Sequence, residues 1–100
     1  MDPFYRVKID PELKELVPSY LERICSQNLV LEEASKCGNF SFIESYAHKL
    51  KGIASSYGFP YLSELGQELE VKSQMKMEQE VRDIVLKLID YVTKVVVTYE

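Results

Sequence analysis

The sequence predicts an all-α fold: an up-down antiparallel four-helix bundle with a short extra helix at its N-terminus. Three observations carry this. Apolar residues recur at helical spacing through most of the chain. The breaks between those stripes hold residues that stop and start helices. The connections are short, which favours antiparallel neighbours. No sustained period-two alternation and no internal repeat competes with this reading.

Asp10-Pro11 opens the first, short helix, with Asp as N-cap and Pro at the first helical position. Pro18 interrupts it, and a longer helix restarts there with Leu21, Ile24, Leu31 and Ala34 on one side. Gly38-Asn39 ends that helix and caps the next. Ser41 and Glu44 offer a rival capping box. The second long helix runs to about Ser56 and ends in the turn Tyr57-Gly58-Phe59-Pro60. The third carries Leu62, Leu65 and Leu69 and fades near Ser73-Gln74. The fourth carries Val81, Ile84, Val85, Leu88, Val92, Val95 and Tyr99. Its end is rich in β-branched residues, and Tyr91 to Tyr99 alone could be a strand. The apolar stripe runs on from a clear helix, so this stretch is expected to be helical.

The 100 residues are expected to form a single domain, residues 1–100, long enough to bury about 65% of the unfolded surface. With 46% hydrophobic and 28% charged residues, and only 4 Gly and 4 Pro, the chain is neither disordered nor low-complexity. No apolar run approaches the roughly 20 residues of a membrane span, so no membrane insertion is expected. No basic stretch followed by an apolar run opens the chain, so no secretory signal is expected. The net charge of −4 argues against nucleic acid as a partner. Cys25 and Cys37 lie twelve apart, outside any CxxC motif, and read as free thiols of a reducing compartment, the cytoplasm. Cys25 fits a buried small side chain. One histidine excludes a multi-His metal site within the chain. The 7 tyrosines read as core borders, since no basic groove accompanies them.

That lone histidine, His48, faces away from the core. At about 100° per residue, Ile43, Leu50, Ala54 and Tyr57 fall roughly 180–240° from it. Ser41, Glu44, Ser45, Lys51, Gly52 and Ser55 share its side instead, a small and polar stripe. Lys51 at i+3 can reach over the ring. Gly52 at i+4 leaves empty the place beside the imidazole, although Gly in mid-helix costs about 1 kcal/mol relative to Ala. An ordinary surface histidine would not need that vacancy. A neutral imidazole is a good nucleophile near neutral pH. A phosphoryl group on it would gain from a nearby ammonium. An exposed His, a cation and an uncrowded surface suit a phosphoryl carrier.

The run Ala47-His48-Lys49-Leu50-Lys51-Gly52, followed by Ile53-Ala54-Ser55-Ser56-Tyr57-Gly58, resembles the signature of the histidine-containing phosphotransfer (HPt) domain. That signature reads His-x-Leu-Lys-Gly, then small residues, then Gly ten positions after the His. Leu62 and the stretch from 65 to 70, Leu-Gly-Gln-Glu-Leu-Glu, resemble the family's following helix. The specific motif covers about residues 44 to 70; the flanking helices are similar in length and pattern only. The resemblance implies that His48 is phosphorylated on Nε2, that Lys51 stabilises the phosphoryl group, and that Gly52 gives the partner room. Glu44, Ser45, Lys49, Gly52, Ser55 and Gln67 would meet that partner. Glu70 falls where the related chemotaxis-kinase phosphotransfer domains carry a carboxylate that holds the ring. Many relay domains have an amide near there, a place Gln67 could fill. Ile53 departs from the family, which usually has Gly, Ala or Ser there; about 140° from His48, it is expected at the core or its border.

The implied function is transfer of a phosphoryl group to or from the aspartate of a response-regulator receiver domain, in a relay that includes a sensor histidine kinase. The chain has no ATP-binding motif, so it is not expected to be a kinase or to need a cofactor. Magnesium would come only with the receiver's acidic pocket. A variant makes the chain the substrate domain of a chemotaxis-type kinase, which Glu70 favours. A third reading, a non-catalytic helical adaptor, leaves His48, Lys51 and Gly52 unexplained. A monomer is expected.

Overall fold

The helical stripes of the sequence become four helices, and the two ends of the chain become something else. The computed structural model describes residues 2–100. Strand β1 (Tyr5–Ile9) leads through one 3-10 turn at Pro11–Leu13 into α1 (Val17–Lys36). Then follow α2 (Phe40–Tyr57), α3 (Pro60–Gln74), α4 (Glu78–Lys94) and strand β2 (Val95–Tyr99).

Asp10 caps the 3-10 turn, its carboxylate accepting the Glu12 N–H at 2.9 Å. The short extra helix of the sequence reading thus amounts to a single turn. Pro18 sits in the first turn of α1, where a missing N–H is harmless. Asn39, not Ser41, caps α2: its side chain accepts the Phe42 N–H at 3.4 Å.

Three helices end alike. A residue one or two positions past the helix takes the left-handed conformation, and the next N–H reaches back five residues. Gly38 (φ 73°) does this for α1, with Asn39 N–H bonded to the Ala34 carbonyl at 2.9 Å. Gly58 (φ 85°) does it for α2, with Phe59 N–H on Ala54 at 2.9 Å. At the end of α3 the left-handed residue is Lys76 (φ 54°), with Met77 N–H on Lys72 at 3.0 Å.

The core follows the apolar stripes. Leu31, Ile43, Ala47, Ala54, Leu62, Leu69, Val81, Val85 and Leu88 are all buried, one stripe from each helix. Phe59 in the α2–α3 turn is buried with them. Cys25, expected inside, is exposed, as is Cys37, and both are free thiols. Tyr20 and Ile24 take the inward positions of that part of α1, and Cys25, about 100° on from Ile24, turns outward.

The helix expected to continue to Tyr99 stops at Lys94. Val95 turns extended (φ −72°, ψ 134°), and β2 pairs in parallel with β1, Tyr5 opposite Val95 through Ile9 opposite Tyr99. Positions 92, 95 and 99 fit a helical stripe, but Val-Val-Val-Thr loses side-chain freedom in a helix and gains packing in a strand. Its partner lies at the far end of the sequence. That partner does alternate: Tyr5, Val7 and Ile9 turn inward while Arg6 and Lys8 are exposed, a five-residue period-two pattern the sequence reading passed over. Tyr5 ties the pair to α4 by donating its hydroxyl to Asp90 Oδ2 at 2.8 Å.

The left-handed positions give paired expectations. Gly58→Ala should lower stability by about 1–2 kcal/mol, and its new Cβ would also stand 3.3 Å from Ile9 Cδ1. Lys76→Gly should raise stability by about 1 kcal/mol, relieving the same strain. Urea unfolding of the two variants should shift the midpoint in opposite directions.

Candidate functional site

On α2, Ile43, Ala47, Leu50 and Ala54 are buried, which turns His48 outward. Its side chain is 69% exposed. Ile53, expected at the core or its border, is itself 38% exposed. The inward place next to it is taken by the smaller Ala54.

Helix α3 lies beside α2 in the opposite direction. Gln74 donates to Glu44 Oε1 at 3.0 Å, Glu70 meets His48, Gln67 meets Lys51, and Ser63 donates to the Lys51 carbonyl at 3.2 Å. The centre of this ladder is one carboxylate. Glu70 Oε2 lies 2.8 Å from His48 Nδ1, and Lys51 Nζ donates to Glu70 Oε1 at 2.9 Å. An ionised carboxylate only accepts, so Nδ1 carries the hydrogen and the neutral ring has its lone pair on Nε2. Among the described residues nothing bonds Nε2. Lys51 Nζ also donates to Gln67 Oε1 at 3.1 Å. Gln67, the alternative partner for the ring, therefore holds the lysine, and Glu70 holds the histidine.

The Glu70 side chain is only 14% exposed. The Lys51 hydrogen bond, then that of His48, hold its carboxyl below the usual value, against the upward push of desolvation. It is therefore an anion at neutral pH, facing the imidazole and the ammonium together.

Two mid-helix glycines shape the surroundings in opposite ways. A Cβ built on Gly52 meets nothing within 4 Å. A Cβ on Gly66 would stand 3.0 Å from the Lys51 backbone N and 3.1 Å from its Cα. Gly52 leaves the surface beside His48 open, and Gly66 lets α3 approach α2 closely. Sequence reasoning missed the role of Gly66. The available signal was a glycine inside a helical leucine stripe, which costs about 1 kcal/mol and so needs a packing reason.

His48 stands between two hollows. One, of about 520 Å³, runs toward α1 and is lined by Leu16, Tyr20, Gly52, Ile53 and Tyr57 among others. The other, of about 370 Å³, is lined by Ser41, Glu44, Ser45, His48, Lys49 and Glu70. Of the remaining expected residues, Lys49 borders both hollows, while Ser55 is exposed and borders neither. The apolar wall of Leu16, Ile53 and Tyr57 was not anticipated; its residues come from separate segments. Among the described residues no group of three His, Cys, Asp or Glu is placed to hold a metal ion. No helix there is long and apolar enough to cross a membrane.

Chemically, the arrangement offers an exposed nucleophilic nitrogen, a fixed tautomer, a cation within the same network and open space. Among known proteins, the family model described as the Hpt domain matches residues 12–95. No curated protein and no solved structure matches the chain.

Gly66→Ala should cost about 1–3 kcal/mol, since backbone rather than a flexible side chain blocks the new methyl. It should also loosen the His48–Glu70 contact, read by ¹⁵N NMR as a loss of the Nδ1–H tautomer. A second expectation concerns pH. Because the Glu70 pKa is lowered by folding, its contribution is full above the unfolded carboxylate value and fades as pH falls through the folded one. Wild type should be more stable than Glu70→Gln at pH 7, and urea unfolding should show the gap closing in acid.

Proposed function

Because the chain belongs to the Hpt domain family, whose members are phosphotransfer modules of phosphorelay signalling and not kinases, we propose that His48 is its phosphorylated residue. In this reading His48 Nε2 takes a phosphoryl group from the aspartate of a response-regulator receiver and passes it to another receiver. The observation that carries it is the 2.8 Å contact between His48 Nδ1 and Glu70, on a side chain otherwise open to solvent.

The Nε2 lone pair attacks phosphorus, and the bond from phosphorus to the aspartyl oxygen breaks. The electron pair leaves with the carboxylate. The ring keeps its Nδ1–H and gains positive charge, which Glu70 faces. Holding that hydrogen on Nδ1 is the same orienting logic as the carboxylate of a catalytic triad. Lys51, bonded to the other oxygen of Glu70, supplies a positive charge for the incoming phosphoryl oxygens. Reversal of these steps hands the group to the next aspartate. The magnesium such transfers use would arrive with the receiver's carboxylates. Gly52, Lys49, Glu44, Ser45, Ser55 and Gln67 are the residues proposed to meet the partner. The reading also takes the helices as an up-down bundle, and the protein as a cytoplasmic monomer downstream of a sensor histidine kinase.

Glu70 favours a second reading, in which a separate ATP-binding domain phosphorylates His48 directly, as in the chemotaxis kinases it resembles.

Incubation with phosphoramidate, whose phosphorus–nitrogen bond breaks to release ammonia, tests the nucleophile without any partner. Wild type should gain an acid-labile phosphate. His48→Gln should gain none, with stability changed by less than about 0.5 kcal/mol. Phosphate retained by that variant would place the reactive residue elsewhere, and a wild type that gains none would leave the adaptor reading standing. With a receiver as donor, Gly52→Gln should slow transfer, whereas Gly52→Ala should be neutral or stabilise by up to about 1 kcal/mol.

A further inference from the structure

Along the outer edge of β1 runs a hollow of about 650 Å³. Four consecutive residues of the strand, Tyr5 to Lys8, form one wall, and Gly58, Pro60 and Tyr61 form the other. Successive side chains of a strand point to opposite faces, so a hollow lined by four in a row lies at an edge. No residue of β2 lines it, so the edge is the one that β2 leaves free. None of its lining residues borders either hollow at His48.

The Glu100 N–H and the Thr98 hydroxyl donate to the carbonyls of Ile9 and Val7 at 3.1 Å and 3.5 Å. Tyr5, Val7 and Ile9 thus turn their backbone groups toward β2. Backbone groups alternate along a strand, so those of Arg6 and Lys8 point the other way, toward the hollow. Among the described residues they have no hydrogen-bond partner. Such an edge is a template for pairing with another chain.

The side chains decide what can pair. Tyr5 lies on the inner face, packed on the rings of Tyr61 and Tyr91. Arg6 and Lys8 lie on the outer face, their side chains 64% and 78% exposed, and no Asp or Glu lines the hollow. Their ion pairs with Asp2 and Glu100 are on the surface. Such pairs contribute little, so an incoming carboxylate can replace them. A second copy of β1, antiparallel and centred on Val7, would set Arg6 opposite Lys8. Like charges facing each other across two strands are destabilising, whereas opposite charges there are favourable.

We propose that the free edge of β1 takes up an extended acidic segment of another protein as a third strand. The segment carries a carboxylate opposite each of Arg6 and Lys8, with apolar residues between them turned toward Tyr5 and Tyr61. The backbone groups of Arg6 and Lys8 supply the main-chain hydrogen bonds of strand addition. Four residues of β1 give a contact about 13 Å long.

The probe is the blocked peptide acetyl-Val-Glu-Val-Glu-Val-amide, titrated into the ¹⁵N-labelled chain at low ionic strength. The Arg6 and Lys8 amide signals should shift and saturate, and their hydrogen exchange should slow as the peptide binds. The neutral peptide with Gln in place of both Glu should bind about fivefold more weakly, as loss of two exposed charge pairs implies. In Arg6→Gln with Lys8→Gln, both at exposed positions, that preference should vanish. Absence of saturation, or saturation without slower exchange at Arg6 and Lys8, would overturn the proposal. So would a charge preference that survives the double substitution. Sedimentation of the chain alone as a dimer, with those two amides already protected, would assign the edge to a second copy and overturn it too.

Discussion

The close passage of α3 over the Lys51 backbone is the constraint on which the site depends. It exists because residue 66 has no side chain: a methyl there would press on backbone atoms at 3.0–3.1 Å. Helices usually pack with axes about 8–10 Å apart, set by the side chains between them. Removing one side chain at the crossing brings the neighbouring turns of α3 within hydrogen-bond reach of α2. One helical turn after Gly66, that closeness becomes the contact of Glu70 with His48 and Lys51.

Glu70 then does two things at once. By accepting from Nδ1 it leaves the unprotonated edge of the imidazole outward, and by accepting from Lys51 it anchors the ammonium beside the same ring. Both bonds favour the charged carboxylate, which outweighs the desolvation that opposes it. The other groups on the helix pair reinforce the geometry. Gln67 takes a second Lys51 hydrogen, and Ser63 fixes the lysine's own carbonyl. The exposed imidazole is thus held from one side only, and its other side is open.

The two strands tie the ends of the chain to the bundle at some distance from His48. Ile9 is buried, and Tyr5 packs on Tyr61 and Tyr91 at ring-centroid distances of 5.8 Å and 4.9 Å. Residues that a local pattern leaves ambiguous become strand because pairing satisfies backbone groups that a frayed helix end would expose. The same tyrosine-rich composition supplies the T-shaped contact of Tyr20 with Tyr57 at 5.1 Å, which seals the inner wall of the groove beside His48.

The sequence by itself determined the existence of the four long helices, the breaks at Gly38-Asn39 and Gly58 between the first three, and the outward direction of His48. These follow from local rules: the helical period, the φ > 0 tolerance of Gly38 and Gly58, and the angular separation of His48 from Ile43, Leu50 and Ala54. It also carried the His-x-Leu-Lys-Gly signature that links the chain to its family. What it left undecided required distances between segments remote along the chain. Whether Glu70 or Gln67 meets the ring turns on how two helices lie along each other, at the close separation that Gly66 permits. The fate of Val95–Tyr99 depends on a strand some 90 residues earlier. The exposure of Ile53 and the groove beside it arise where α1 and α2 meet. A sequence pattern reports which side of a helix is apolar, but only the packed structure decides which neighbour covers that side and which polar groups remain without a partner.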